Sequence, residues 1–432
     1  MRSCLGLVRG WKLFLLSTAL FGVLATAEQA KNNKATATSG SGKVVLYTGI
    51  GNEFTQYDVD VDNATLTKGS SVTLPGGVTE TAFHPSKKFL YVVWGGLSKT
   101  PNAIVEHGIS AFSIDPATGS LTPNGSPAHL PPSPGYSSFI STDVPGTHVL
   151  VTHTDPSFLK VFKIEPDGTV GSEVKPKTPL DYGIHAHQVR VDPTNKKVFL
   201  MDLGYRPTAT SPDWGSSINI FDYKNGELTR EVTIPPGGGS NFELRHLDFD
   251  PSGRWDFVSL ERQNKLLVYK RMSDGSIGSE PLFSKDTLAD PSNIQRGQIF
   301  GTVHVHPNGK FVYGANRAAS STMVDGKRVF AGGENSIVVY AINQNTGEPT
   351  LIQSIDTHGF SPRTFSLDPS GRLLVVSNTK QLYVHDGEGL RLVQPNLAVF
   401  RIGDDGKLEF VRSYDVTFSD GDDWAGITSL PK

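Results

Sequence analysis

From Lys43 onward, apolar residues come in short runs rich in Val, Tyr, Phe and Leu, each closed by Gly, Pro, Asn or Asp. That is the signature of strands and turns. No stretch sustains helical spacing, so the pattern predicts essentially no long helix. One unit recurs: an apolar strand, then His-Pro or Asp-Pro with a basic or Gly turn, then a second apolar strand. It reads "TAFHPSKKFLYVVW" (81–94), "VRVDPTNKKVFLMDLG" (189–204), "LDFDPSGRWDFVSLE" (247–261), "VHVHPNGKFVYGANR" (303–317) and "FSLDPSGRLLVVSN" (365–378), with "FISTDVPGTHVLVTH" (139–153) as a degraded sixth copy. The Pro and the following Gly or Lys build a tight turn between antiparallel strands. The Asp or His before each Pro therefore takes a structural part and no catalytic one.

A second unit follows each first one, as in "FSIDPATGSLT" (112–122), "FDYKNGELT" (221–229) and "FRIGDDGKLE" (400–409), and it reads as an outer hairpin. Counting "YDVDVDNATLT" (57–67), there are seven such hairpins against six copies of the first unit. The ends of the chain explain the mismatch. "KVVLYTG" (43–49) is a second strand without its predecessor, and "WAGITSL" (424–430) is a first strand without its successor. Joined, they complete a seventh blade. The prediction is an all-β, seven-bladed β-propeller of four-stranded antiparallel blades, closed by both termini and occupying residues 43–432 as one domain.

The preceding residues read differently. Arg2, Arg9 and Lys12 precede a short apolar run, "LFLLSTALFGVLA" (13–25), and small residues at 25–27. This is the layout of a secretory signal peptide over 1–27, with a flexible polar lead-in over 28–42. The expectation is a secreted protein that is not held at a membrane once the signal is cleaved. The only cysteine is Cys4, so the mature chain is expected to have no disulfide, thiolate nucleophile or cysteine-metal site. Asn63 and Asn124 head N-glycosylation sequons. A net charge of −3 with no basic block excludes the electrostatic footprint of a nucleic-acid binder.

In a propeller the first strand of each blade lines the central channel, so equivalent positions converge. Five residues before each turn Asp or His stand Thr79, Ser138, His187, Arg245, Gly301 and Arg363. Ten or eleven after it stand Trp94 or Gly95, Thr154, Asp202, Glu261, Arg317 and Asn378. Arg245, Arg317 and Arg363 beside a channel suit carboxylate or phosphate groups. His187, with His185, and Glu261 add proton-transfer groups, and Glu261 among arginines stays ionised unless burial outweighs them. Glu261 with an arginine also fits a structural ion pair. Two histidines at i, i+2 would point to one face, and with Asp202 they could approach a metal, but no convincing third ligand accompanies them.

The segments "HAHQVRVDP", "LRHLDFDPSG", "VSLERQNKLLVY", "VHVHPNGKFVYGANR" and "PRTFSLDPSGRLLVVSN" resemble the lactonase family of seven-bladed propellers, which includes a 3-carboxy-cis,cis-muconate cyclase and bacterial 6-phosphogluconolactonases. The resemblance implies catalytic roles for His187, Arg245, Glu261 and Arg317; the convergence of repeat positions adds His185 and Arg363 as candidate substrate-binding groups. It implies a small anionic substrate, no cofactor and no metal. The leading expectation is a lactone-forming enzyme most like the cyclase. The alternatives are a lactone hydrolase of the 6-phosphogluconolactonase type and a binding propeller without turnover. The insert "YRPTATSPDWGS" (205–216) and the loop "AASSTMVDGKRVFAGGEN" (318–335) are expected to reshape the pocket mouth.

Overall fold

The computed structural model describes residues 42–96, 100, 103–205, 208, 215–239, 242–417 and 423–431. The expected signal peptide and most of the lead-in lie outside the described residues. Seven blades form a ring, with the inner strands Asp423–Ser429, Gly77–Phe83, Ser137–Thr142, Ala186–Val191, Leu244–Phe249, Ile299–Val305 and Phe360–Leu367 in blades one to seven. Blade one joins the two ends of the chain as the repeat count requires. Its strand Val44–Ile50 pairs antiparallel with Asp423–Ser429, Leu46 opposite Ile427 and Thr48 opposite Ala425. Among the described residues the only helical turn is Pro236–Gly238.

Ring closure follows from where each strand hides its side chains. Successive side chains of a strand point to opposite faces of the sheet. In blade one, Val44 and Leu46 pack against Leu373 and Val375 of blade seven, while Val45 and Tyr47 pack against Leu90 and Val92 of blade two. Both faces are buried, which is why the second strands read as near-continuous apolar runs. Seven buried clusters fill the seven blade interfaces. No cluster spans the whole molecule, because the ring's centre is a channel.

The turn residues before each proline do the structural work expected of them. Asp368 accepts the backbone N–H groups of Ser370, Arg372 and Leu373 at 2.9, 2.7 and 2.6 Å. Asp192 accepts those of Thr194, Lys196 and Lys197 at 3.1, 2.8 and 2.7 Å. The histidine variants reach outward to the next blade. His84 Nε2 meets the carbonyl of Gly146, and His306 Nε2 that of Gly371, each at 2.9 Å.

One expectation changes. Residues 318–335 are more than a loop, since Ser321–Val324 and Lys327–Phe330 form a hairpin. Asp325 and Gly326 turn it with φ of 48° and 73°, the pair of positive angles that an Asp-Gly hairpin turn supplies. A second hairpin, Leu382–Asp386 with Gly389–Val393, interrupts blade seven at the same stage. The two insertions join through a parallel bridge, Val329 to Tyr383, into an additional four-stranded sheet. Both leave the mouth end of a second strand, one directly after Arg317.

Candidate functional site

Six inner strands bulge, and the bulge falls on the level that carries the candidate residues. The register with the second strand slips around Thr79, Ser138, His187, Arg245–His246, Gly301–Thr302 and Arg363. A bulge leaves a residue out of the ladder and re-aims its side chain, here toward the channel. In blades four, five and seven the residue two positions earlier also has a positive φ: His185 at 61°, Glu243 at 52° and Ser361 at 55°. Backbone of this kind is costly for side-chain-bearing residues and persists where its surroundings hold it.

Those surroundings are the neighbouring blade. Ser138 of blade three donates to the carbonyls of Ala186 and His187 at 2.8 Å, and Thr152 donates to the His187 carbonyl at 2.7 Å. Gln188 of blade four accepts the Leu247 N–H of blade five at 2.5 Å. Thr302 of blade six donates to the Arg363 carbonyl at 2.9 Å. Thr364 of blade seven accepts the Ala425 N–H of blade one at 3.2 Å. In blades four, five and seven, backbone groups at the bulge are satisfied by side chains of the preceding blade.

The cup above this level gathers four predicted residues tightly. Arg245 Nε lies 2.7 Å from one oxygen of Glu261, and Arg317 Nη2 lies 3.3 Å from the other. Gly301 lies directly against them: a Cβ there would be in ordinary contact, 3.6 Å from Arg317 Nε and 3.8 Å from Arg245 Nη1. Arg363 is within electrostatic reach of both guanidinium groups and of His187. His187 is buried, and its pKa is pushed well down, by burial first and then by Arg245. Burial and then Arg317 lower Arg245 to about 9, and burial lowers Arg317. His187 Nδ1, His185 Nδ1 and Arg317 Nε are buried without a hydrogen-bond partner. Buried polar atoms are rarely left so, which marks this cluster as one that a ligand could complete.

Other placements differ from the sequence count. His185 precedes the strand in a left-handed conformation, so the pair is not an i, i+2 strand pair on one face. It stands at the rim, edge-on to Tyr136 and Tyr205 at ring distances of 6.2 and 5.5 Å. Most of the 205–216 insertion lies outside the described residues. On the second level only Glu261 and Arg317 join the guanidinium cluster. Asp202 is turned into its own blade, held by Ser217 and Asn219 at 2.6 and 2.8 Å and pushed up to about 7 by burial. Trp94 packs in the interface of blades one and two, and Asn378 donates to the Thr357 carbonyl. Asn63 is exposed in its hairpin, 2.7 Å from Asp60, and Asn124 donates to the Asp167 carbonyl at 2.9 Å.

Counting missed three neighbours. His246 Nε2 lies 3.2 Å from Arg245 Nη1, and its ring is 5.3 Å from that of His187. Tyr136 is within electrostatic reach of Arg245 and Arg317. Glu80 is a buried carboxyl that feels Arg245 and Arg363. Strict alternation admits every second residue, whereas a bulge turns two consecutive ones toward the channel. For His246 and Glu80, adjacency to a counted position was the available signal.

Fold and site define a propeller with a buried cluster of arginines around one carboxylate near the mouth of its channel. The chain matches the family model "Lactonase, 7-bladed beta-propeller" over residues 41–386 and belongs to that family. Curated relatives include the 6-phosphogluconolactonase of Bacillus subtilis, 26% identical over 366 residues that cover 81% of this chain and 93% of that one. The 6-phosphogluconolactonase of Formosa agariphila is 28% identical over 313 residues, 68% of this chain and 76% of that one. Among solved structures, a periplasmic gluconolactonase of Pseudomonas aeruginosa shares the fold with a TM-score of 0.68 at 18% identity, covering 90% of this chain and 100% of that one. These relatives overturn the expectation of a lactone-forming, muconate-cyclase-like enzyme, because the curated ones carry the names of lactone-opening enzymes. One histidine, two arginines and a glutamate grip an anion and move a proton in either direction of lactone chemistry, so those residue types could not choose between them.

Proposed function

We propose that the protein hydrolyses an anionic sugar lactone of the 6-phosphogluconolactone type. The observation that carries the reading is the cup itself. Two guanidinium groups share one carboxylate beside a buried imidazole whose Nδ1 makes no hydrogen bond. The curated lactonase relatives support the direction of the reaction.

His187 is the general base, because both Glu261 oxygens are engaged by arginines while His187 Nδ1 is free. It takes a proton as the water oxygen bonds to the lactone carbonyl carbon. The negative charge that develops on the carbonyl oxygen is met by Arg245 and Arg317, held in place by Glu261. The ring C–O bond then breaks, and the leaving alkoxide takes the proton from the imidazolium. The field that depresses His187 drives this return, since an imidazolium beside Arg245 and Arg363 is disfavoured. The product is the open hydroxy acid, with one water added.

The test is the rate of 6-phosphogluconate formation from 6-phosphoglucono-δ-lactone above spontaneous opening, compared with His187→Gln and Glu261→Gln. Catalysis by wild type that both variants lose supports the reading. A wild-type rate equal to the spontaneous one removes it.

A further inference from the structure

Arg245 and His246 are neighbours in the chain, and on a regular strand their side chains would point to opposite faces. Here both turn toward the channel. Ser259 alone stands against the two of them, between Leu244 opposite Leu260 and Leu247 opposite Val258. Two residues against one is a bulge. Ser259 Oγ fixes it by accepting the His246 N–H at 3.0 Å and donating to the His246 carbonyl at 3.4 Å. Phe139 of blade three stands edge-on to the imidazole at a ring distance of 5.8 Å. His246 is only 6% exposed, and its Nε2 lies 3.2 Å from Arg245 Nη1. A guanidinium has five N–H donors and no acceptor. Arg245 therefore donates, Nε2 carries the lone pair, and the ring proton sits on Nδ1.

We infer that His246 is a positioning residue for the reaction: its Nε2 holds the Nη1 arm of Arg245 at the angle from which that guanidinium meets the developing oxyanion. The inference rests on the hydrolase reading above. Glu261 grips Arg245 on the Nε side, 2.7 Å away. Contact on that side alone lets the planar group swing about it, and a second contact at Nη1 fixes the plane. The second holder has to be neutral. Another carboxylate at Nη1 would offset the charge that Arg245 brings to the oxyanion, whereas an imidazole lone pair orients the donor and leaves the charge in place. His246 meets that condition, because burial first, and then Arg245, push its pKa well down. A protonated ring would have no lone pair to offer. Donors held in advance cost no reorganisation when the charge develops. A displaced donor loses rate even where the substrate still binds. In this role His246 touches neither the water nor the lactone and acts only through Arg245.

The experiment compares wild type, His246→Leu and His246→Gln in the full-length protein, each also in an Arg245→Met background, with 6-phosphoglucono-δ-lactone as substrate. Leucine removes the acceptor, whereas the glutamine side-chain oxygen can take the place of Nε2. His246→Leu should lower kcat on the order of tenfold or more, with KM changed by less than about twofold. His246→Gln should restore most of that rate. In the Arg245→Met background neither substitution should cost anything further, because a residue that acts through Arg245 has nothing left to position. A wild-type kcat in His246→Leu overturns the inference and leaves the hydrolase reading standing. Losses that multiply in the double variant, or a rate that His246→Gln fails to restore, make the histidine a packing residue and overturn it too. Loss of the native circular dichroism spectrum by both single variants does the same. A wild-type rate equal to spontaneous opening overturns the hydrolase reading, and this inference with it.

Discussion

The same inner strands end in two different ways. At the turn end, polar side chains are satisfied by their own backbone, as Asp368 and Asp192 are, or by the next blade, as His84 and His306 are. At the mouth end, a bulge turns Arg245, His187 and Arg363 into a shared cup, where His187 Nδ1 and Arg317 Nε have no hydrogen-bond partner. Both ends bury polar groups; one end stabilises the ring and the other costs it stability. Burial and neighbouring arginines lower the pKa of Arg245, so charging it in the fold is uphill. Replacing a whole buried ion-pair cluster by apolar groups is often neutral or stabilising, although removing one partner of a lone pair is not; stripping the acceptor from buried N–H groups is destabilising as well.

The comparison breaks most sharply at Arg245. Arg245→Met is expected to lower kcat/KM for 6-phosphogluconolactone by about 10²-fold or more, as loss of one oxyanion donor does, while the thermal midpoint stays near the wild-type value because Arg317 still pairs with Glu261. A parallel collapse of stability would show that the cup is a structural ion-pair cluster after all. Gly301→Leu comes next. Its side chain would enter the space between Arg317 Nε and Arg245 Nη1, so steady-state kinetics should show a loss of about tenfold or more with a native circular dichroism spectrum.

At the opposite end, Asp368→Ala removes the acceptor of three backbone N–H groups. Urea unfolding should show a loss of about 2 kcal/mol or more, with kcat unchanged well below the transition. An unaltered urea midpoint would mean that the turn holds without its aspartate.

The smallest effect separates the two kinds of buried histidine. His153 sits between Ser133 and Ser137 at 2.5 and 3.2 Å. Burial, and then His107, push it down to about 4. The unfolded chain therefore binds more protons between about 4 and the ordinary histidine value near 6.5. The stability contributed by neutral His153 is fully present above about 6.5 and is lost as pH falls toward 4. Denaturation midpoints measured from pH 7.5 to 4.5 should fall across that window, and His153→Gln should reduce the slope.

Much of this was legible in the chain. The unequal counts of the two repeat units dictated seven blades and closure by both termini, because a four-stranded blade missing one strand must borrow it. Counting from the Asp-Pro turns reached His187, Arg245, Glu261 and Arg317, because the turn fixes a register that identical blades share. It failed for Asp202, which its own blade captures through Ser217 and Asn219, and for the spacing of His185 and His187. The hairpins at 321–330 and 382–393 carried turn signals, but their pairing links two blades through one bridge that no local pattern encodes.

The sequence by itself determined the ring: apolar runs on a fixed turn period leave few other ways to bury both faces of every strand. Only the tertiary structure decided which polar residues meet. A bulge is a slip of one residue, invisible to period-two counting, and hydroxyl and amide groups of the adjacent blade hold it in place. The tertiary structure also set two buried glutamates apart: Glu261 is ion-paired with Arg245 and Arg317, whereas Glu80 accepts the Thr81 backbone N–H. A carboxyl's charge depends on what surrounds it, and the fold alone supplies those surroundings.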